Sequence, residues 1–379
     1  MKRVLILGGG FGGIATARLL KQSLAEEDEV ILVDRRDYFM VGFRKTWALT
    51  GQSTLEEGRR PLDSLSNLGV RVMQDSVTRI DPAARTAWMG DQRLSADALV
   101  VALGAGLAPE SIPGFEEYAY NVYDPQDIPR AAQALNEFQG GTLLIGIFGV
   151  PYKCPPAPYE MALLIRETLQ SRGVQANVEV CTPQPVSMPL LGQVGCDIIE
   201  GRLADNGITF LPNRKATAVE WGEVVFTNER RKYDLLFGIP PHRPPAVVRE
   251  SGLVGESGWI SVNARTLETR FPGVYAIGDV VQIAMANGKP LPKAGVFAEG
   301  MGETVADHIA ATFAGREPEA GFQGEGGCYL EVGSGQAMMV KGHFMAVPEP
   351  EVSLTEASAQ YLEEKRSFET QRLVSWFGP

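Results

Sequence analysis

The sequence predicts an α/β protein with two Rossmann-like dinucleotide-binding-type domains followed by a small C-terminal domain. Three observations predict it: a glycine-patterned β-α-β unit at the N-terminus, strand-then-glycine segments that resume at Ala98–Gly106 and Pro272–Val280, and a separate strand–helix–strand pattern between them. At 379 residues, 44% of them hydrophobic and 21% charged, the chain is long enough for two or three domains with buried cores.

The opening unit begins with Val4–Leu7, a buried-strand run, and continues through Gly8, Gly10 and Gly13 into helical periodicity over Ala17–Leu24. A second strand, Val30–Val33, ends at Asp34, 21 residues beyond Gly13. The first glycine permits the tight turn, the second lets the backbone approach a pyrophosphate, and the third lets helix and strand pack closely. Asp34 can then accept hydrogen bonds from a ribose. Farther on, ALVVALGAG (98–106, with Gly104) and PGVYAIGDV (272–280, with Gly278 and Asp279) each run a strand into glycines. This pattern places a discontinuous dinucleotide domain at residues 1–106 and 250–320, with an insertion at 107–249 and a C-terminal unit at 321–379.

The insertion reads as strands at Gly140–Gly149 and Asn177–Pro183 around a helix from Pro158 to Leu169. Its glycines, Gly146 and Gly149, do not make a second triad. Pro151, Pro155, Pro156 and Pro158 also stiffen the turn that would wrap a pyrophosphate, so a second, nicotinamide site is not expected. After the AIGD strand, a helix from about Ala294 is preceded by Lys293. Its N-terminus and that lysine can direct positive charge toward a bound cofactor, or the lysine can be a solvated helix-start residue. At the end, Ser353 with Glu356 predicts a capping box. Tyr361, Leu362, Phe368, Leu373 and Trp376 on the following helix can cover an apolar surface or pack onto the body.

Composition narrows the function classes. The formal charge of −11 makes nucleic acid a poor partner. No apolar run reaches the roughly 18 residues needed to cross a bilayer, and no secretory h-region follows the start. The expectation is a cytoplasmic protein, with any membrane contact peripheral and on the cytoplasmic face. The four cysteines, Cys154, Cys181, Cys196 and Cys328, are too few to staple such a chain and lack metal-ligand spacing. His242 is a candidate to border an acceptor pocket, while His308 and His343 have no constellation of metal ligands around them; no metal is expected.

The strings YKCPPAPYE (152–160) and GGCYLEVGSG (326–335), with GGGFGG, VALGAG and AIGD, resemble sulfide-oxidising flavoproteins of the two-dinucleotide-binding-domain class. These are sulfide:quinone oxidoreductase and the flavin subunit of flavocytochrome c sulfide dehydrogenase, FAD-dependent and pyridine nucleotide-disulfide reductase-like in fold. The resemblance implies that Cys154 and Cys328 form a redox-active disulfide over the flavin and that Glu160 accepts a proton. It implies oxidation of sulfide to polysulfide or sulfur, with a quinone or a cytochrome c as electron acceptor. CPPxPYE resembles the flavocytochrome motif more closely, yet Asp34–Phe43 has no cysteine for covalent attachment, so the FAD is expected to be noncovalent.

From the residues themselves, Cys154 lies after a strand and before a helix, where a helix N-terminus favours thiolate. Glu160 is either a proton acceptor raised by burial or a first-turn residue that stabilises its helix. Cys181 and Cys196 read as small buried hydrophobes. Three rival readings stand beside quinone-linked sulfide oxidation: a cytochrome c-linked sulfide dehydrogenase, an NAD(P)H-dependent disulfide or quinone reductase, and a flavin redox sensor without turnover.

Overall fold

The computed structural model describes residues 1–378. In chain order, the elements that position the site begin with β1 (Arg3–Leu7), α1 (Phe11–Ser23), β2 (Glu29–Asp34), α2 (Arg44–Leu49), β3 (Arg71–Gln74) and β4 (Ala98–Val101). The inserted stretch carries β5 (Tyr120–Asn121), β6 (Gly141–Ile147), α3 (Ala157–Ser171), β7 (Ala176–Cys181), α4 (Gly192–Asp205), β8 (Ile208–Leu211) and β9 (Leu235–Ile239). The chain ends with β10 (Val274–Ala276), α5 (Gly295–Ala314), β11 (Glu325–Gly333), β12 (Gln336–His343), β13 (Glu351–Leu354) and α6 (Ala359–Phe377).

Two parallel sheets result. The first has strand order β10-β4-β1-β2-β3, with Leu5 in register with Ile31 on one side and Leu99 on the other. The second has order β5-β9-β6-β7-β8, with Ile145 between Val180 and Phe237. Strands covered on both faces need apolar side chains at every position, which is why Val4–Leu7 and Leu99–Val101 read as unbroken hydrophobic runs. Every one of those residues is buried.

Ligands bind beyond the carboxyl ends of such strands. In the first sheet those ends carry Gly8–Gly10, Asp34, the 102–106 loop and the 277–279 turn; in the second they carry the 148–156 loop, Val122–Tyr123 and Pro240–His242. Gly106–Leu107 pairs antiparallel with Arg243–His242 and ties the two halves together at this edge. The C-terminal antiparallel sheet, β11-β12-β13, lies against α3 and α6. No helix among the described residues is long and apolar enough to cross a membrane.

Two local expectations are corrected. Helix α1 begins at Phe11, inside the glycine motif, rather than at Ala17. Ser353 does not cap the last helix: it sits in β13, whose ladder with β12 runs through the Val340–Leu354 pair and claims that segment as strand. The cap is Ser358, whose hydroxyl accepts the Tyr361 N–H at 3.2 Å. The apolar face of α6 packs onto the body. Trp376 lies 5.7 Å from the Phe11 ring and 5.3 Å from that of Phe39, and Phe368 lies 6.2 Å from Phe43.

Candidate active site

The glycine loop shows three separable roles. Gly8 has φ +114° and its N–H donates to Val33 O at 2.7 Å; a Cβ there would overlap the Ala102 carbonyl. A Cβ at Gly13 would overlap the Gly8 carbonyl, so the third glycine sets how closely α1 approaches β1. At Gly10 a Cβ would meet nothing within 4 Å, and the same holds at Gly104. This open space lies at the N-terminus of α1, whose first-turn N–H groups lack helical partners and suit a phosphate. Asp34 braces the loop by accepting the Gly9 N–H at 2.7 Å and the Arg36 N–H at 2.9 Å. The residues present therefore fit an FAD: an anion-binding turn with backbone room, and an acidic residue at the end of β2.

Gly278 and Asp279 follow β10, and the Gly278 N–H is held by the Met301 thioether at 3.2 Å, a weak acceptor. Burial pushes the Asp279 carboxyl up, opposed by Lys153 and Lys293. Lys293 is not a solvated helix-start residue. It is buried, with Nζ donating to Asp279 O at 2.7 Å and Val281 O at 3.1 Å and lying 3.4 Å from the Trp259 ring centroid; burial brings it down to about 8. Its own carbonyl accepts the Cys154 N–H at 2.8 Å, so this residue joins the 278–281 turn to the cysteine loop.

Cys154 and Cys328, 174 positions apart, come together. Cys154 sits in the loop before α3 with φ +53°, an uncommon backbone state for a non-glycine residue, and Cys328 lies on β11 opposite Val340. Both are free thiols, close enough that each is the largest influence on the other's ionisation. The proton of Cys328 stabilises the Cys154 sulfur as thiolate, which lowers Cys154 and raises Cys328 well above the ordinary thiol value. Lys365 and Lys45 reinforce the thiolate at Cys154.

Glu160 occupies the first turn of α3, yet its side chain is 2% exposed and turns into a buried cluster. Oε1 accepts from Lys365 Nζ at 2.8 Å and Oε2 from the Glu331 N–H at 2.8 Å. Burial raises its carboxyl above 4.5, against the pull of Lys365. Its charge is felt by both cysteines.

The cluster around Glu160 was not visible in the sequence reading. Lys365 Nζ also donates to Glu331 Oε2 at 3.0 Å, and the same oxygen accepts Trp47 Nε1–H at 2.8 Å. One turn along each helix, Arg44 of α2 holds Glu369 of α6 through two guanidinium contacts and also reaches Ser53. A signal existed: Lys365 and Glu369 interrupt the buried stripe Leu362, Leu373 and Trp376 at helical spacing, where charge has no solvent to face.

The corresponding turn of the second sheet is closely packed. A Cβ at Gly146 would overlap the Phe148 ring, and one at Gly149 would press on Pro241; Phe148 itself packs edge-on to Phe115 at 5.3 Å. Cys181 is buried in β7 with its thiol raised to about 12, and Cys196 is buried on α4, its thiol donating to Met188 O at 3.1 Å. His242 is buried against Tyr123, with Nδ1 donating to Pro240 O at 2.9 Å, and burial lowers it to about 3. His308 lies on α5, and His343 at the end of β12 sits 3.3 Å from Glu325. No group of metal-binding side chains forms among the described residues.

Comparison with known proteins agrees with this architecture. A family model described as pyridine nucleotide-disulphide oxidoreductase matches residues 2–147 and 158–302. The mitochondrial sulfide:quinone oxidoreductase of Mus musculus is 26% identical over 300 residues, 74% of this chain; the match spans 66% of the mouse protein, just under two thirds of its length. A type II NADH:quinone oxidoreductase of Staphylococcus aureus is 26% identical over 343 residues, 84% of each chain. The X-ray structure of the sulfide:quinone oxidoreductase from Aquifex aeolicus superposes with a TM-score of 0.89 at 22% identity, covering 100% of this chain and 92% of that one, a likeness of fold. With the family model matching well over half of its length, the chain belongs to the pyridine nucleotide-disulphide oxidoreductase family.

Proposed function

We propose that this protein binds FAD noncovalently and oxidises sulfide to polysulfide or sulfur through a Cys154–Cys328 disulfide, passing the electrons to a quinone. The observation that carries the reading is the meeting of two free thiols from distant parts of the chain beside the buried carboxylate of Glu160. FAD would be held by the Gly8–Gly13 loop, Asp34, Gly104 and the Gly278–Asp279 turn, and when bound it supplies a two-electron acceptor that restores the disulfide and delivers electrons singly or in pairs.

Hydrosulfide attacks one sulfur of the disulfide; the S–S bond breaks, leaving a persulfide on the attacked cysteine and a thiolate on the other. The cysteine with the lower pKa leaves faster. Lys365 and Lys45 favour a thiolate at Cys154, so Cys154 is the leaving sulfur and the persulfide forms on Cys328. The proton carried in by hydrosulfide passes to Glu160, whose carboxyl burial raises above the ordinary carboxylate range. A second hydrosulfide attacks the outer sulfur of the persulfide; that S–S bond breaks, the sulfur leaves as hydrogen disulfide, and Cys328 is left as a thiolate ready to re-form the bond to Cys154.

The missing second glycine triad, with Pro151, Pro155, Pro156 and Pro158 stiffening that turn, argues against a nicotinamide donor. The mouse and Aquifex relatives are named for sulfide and quinone, the Staphylococcus relative for NADH and quinone; quinone is the shared acceptor. The test is anaerobic mixing of the flavin-loaded protein with sulfide, NADH or NADPH, followed by reoxidation with a soluble quinone or cytochrome c. Reduction by sulfide and reoxidation by quinone support the proposal. Reduction by NADH alone overturns it, and reoxidation by cytochrome c alone replaces the acceptor.

A further inference from the structure

The ion pair between Arg44 and Glu369 touches neither cysteine. Both residues are nevertheless built into the cluster that holds Glu160. Glu369 lies one turn beyond Lys365 on α6, and the two side chains are 2% and 1% exposed. Arg44 lies one turn before Trp47 on α2; its guanidinium is 5.0 Å from the Trp47 ring, and Lys365 Nζ is 5.1 Å from both that ring and the Phe43 ring. Trp47 and Lys365 converge on one oxygen of Glu331, and Lys365 and the Glu331 N–H occupy the two oxygens of Glu160.

The formal charges of this cluster do not cancel. Its buried members are three carboxylates, Glu160, Glu331 and Glu369, and two cations, Lys365 and Arg44; Glu57, 3.7 Å from Arg44, lies exposed at the rim where solvent screens it. One proton added to Glu160 brings the sum to zero. In a buried site such unit charges act with little screening. We infer that Arg44 and Glu369 are positioning residues for the proton-accepting step: buried one turn from Trp47 and Lys365, their opposite charges set how readily Glu160 takes a proton. This rests on the reading of Glu160 as the base.

The other charged or titratable groups facing Glu160 are Lys365 on α6, Glu331 and Cys328 on β11, Cys154 on the preceding loop, and Tyr123 after β5. None of them is altered by substitutions at 44 or 369, so the shifts expected from those substitutions can be signed. Removing the negative charge in Glu369→Gln makes protonation of Glu160 less favourable, and removing the positive charge in Arg44→Met makes it more favourable.

The experiment is the pH dependence of sulfide-driven flavin reduction by rapid mixing, on flavin-loaded protein. A base must be ionised, so the rate falls as pH drops through the Glu160 ionisation. Glu369→Gln should move that limb to lower pH by about half to one unit, and Arg44→Met to higher pH by a similar amount. The double variant should return it close to wild type, and Arg44→Lys, which keeps the charge, should leave it in place. If the pair only clamps α6, both single variants loosen the same contact and shift the limb in the same direction or not at all. That result overturns the inference, as does a double variant displaced as far as either single one. Should Arg44→Met not fold, a shift in Glu369→Gln that the double variant cancels still decides it. Glu160→Gln separates the two levels: a limb that survives that change removes Glu160 as the base and the inference with it, whereas a limb that vanishes there but ignores Glu369→Gln removes the inference alone.

Discussion

Replacing Gly10 by valine perturbs the cofactor site without perturbing the fold. Gly10 has φ −92° and ψ −167°, an extended state open to any residue, and the space around its missing Cβ is empty for 4 Å. The apoprotein should therefore keep its stability to within about 1 kcal/mol, the range of an N-cap change. Bound FAD would meet the branched side chain where its pyrophosphate approaches the backbone. Forcing extra carbons into a packed site costs about 1–3 kcal/mol, and losing charge-assisted N–H contacts to phosphate costs about 1.5–3 more. The sum, about 2.5–6 kcal/mol, is a loss of more than about 50-fold in affinity. Gly13→Ala makes the contrast: its methyl would collide with the Gly8 carbonyl, so the damage should fall on the apoprotein. Thermal unfolding of the deflavinated proteins and fluorescence titration with FAD measure the two quantities separately. Unchanged FAD affinity in Gly10→Val, or equal loss of apoprotein stability in both variants, would refute the assignment of roles.

Glu160→Gln should retain FAD while slowing sulfide-driven flavin reduction by about 10²- to 10⁴-fold. Because the Glu160 carboxyl is raised, the wild-type rate should fall on the acid side at a pH above 4.5, and the substitution should erase that limb in rapid-mixing profiles. Acid-quenched mass spectrometry after one sulfide turnover should find the extra sulfur on Cys328; sulfur on Cys154 would reverse the leaving-group argument. Ser358→Ala should cost about 0.5–2 kcal/mol in denaturant unfolding, whereas Ser353→Ala should cost clearly less, since only Ser358 caps α6.

The N-terminal unit was legible because each of its signals is local. A buried parallel strand must be apolar throughout, and the turn after it needs φ above zero at Gly8, so pattern and conformation agree within a dozen residues. The start of α1 was hidden because Gly12 and Gly13 have poor helix propensity; close packing against β1 and α5 overrides it. Ser353 was misread for the same kind of reason, as a strand ladder outcompeted a short capping signal. The two cysteines carried no local sign of meeting, and their association in the sequence reading came from resemblance alone. Arg44, Glu331, Lys365 and Glu369 are scattered over three elements. Each resembles a solvated charge until Lys365 and Glu369 are set on the apolar stripe of α6.

The central claim is that both cysteines carry electrons from sulfide to the flavin. Anaerobic single-turnover reduction of bound flavin by sulfide, followed by absorbance in wild type and in Cys154→Ser and Cys328→Ser, tests it most directly. The account predicts rapid bleaching in wild type, in Cys181→Ser and in Cys196→Ser, and its loss in both Cys154→Ser and Cys328→Ser with FAD still bound. Near-normal bleaching in the Cys154→Ser and Cys328→Ser proteins would contradict it.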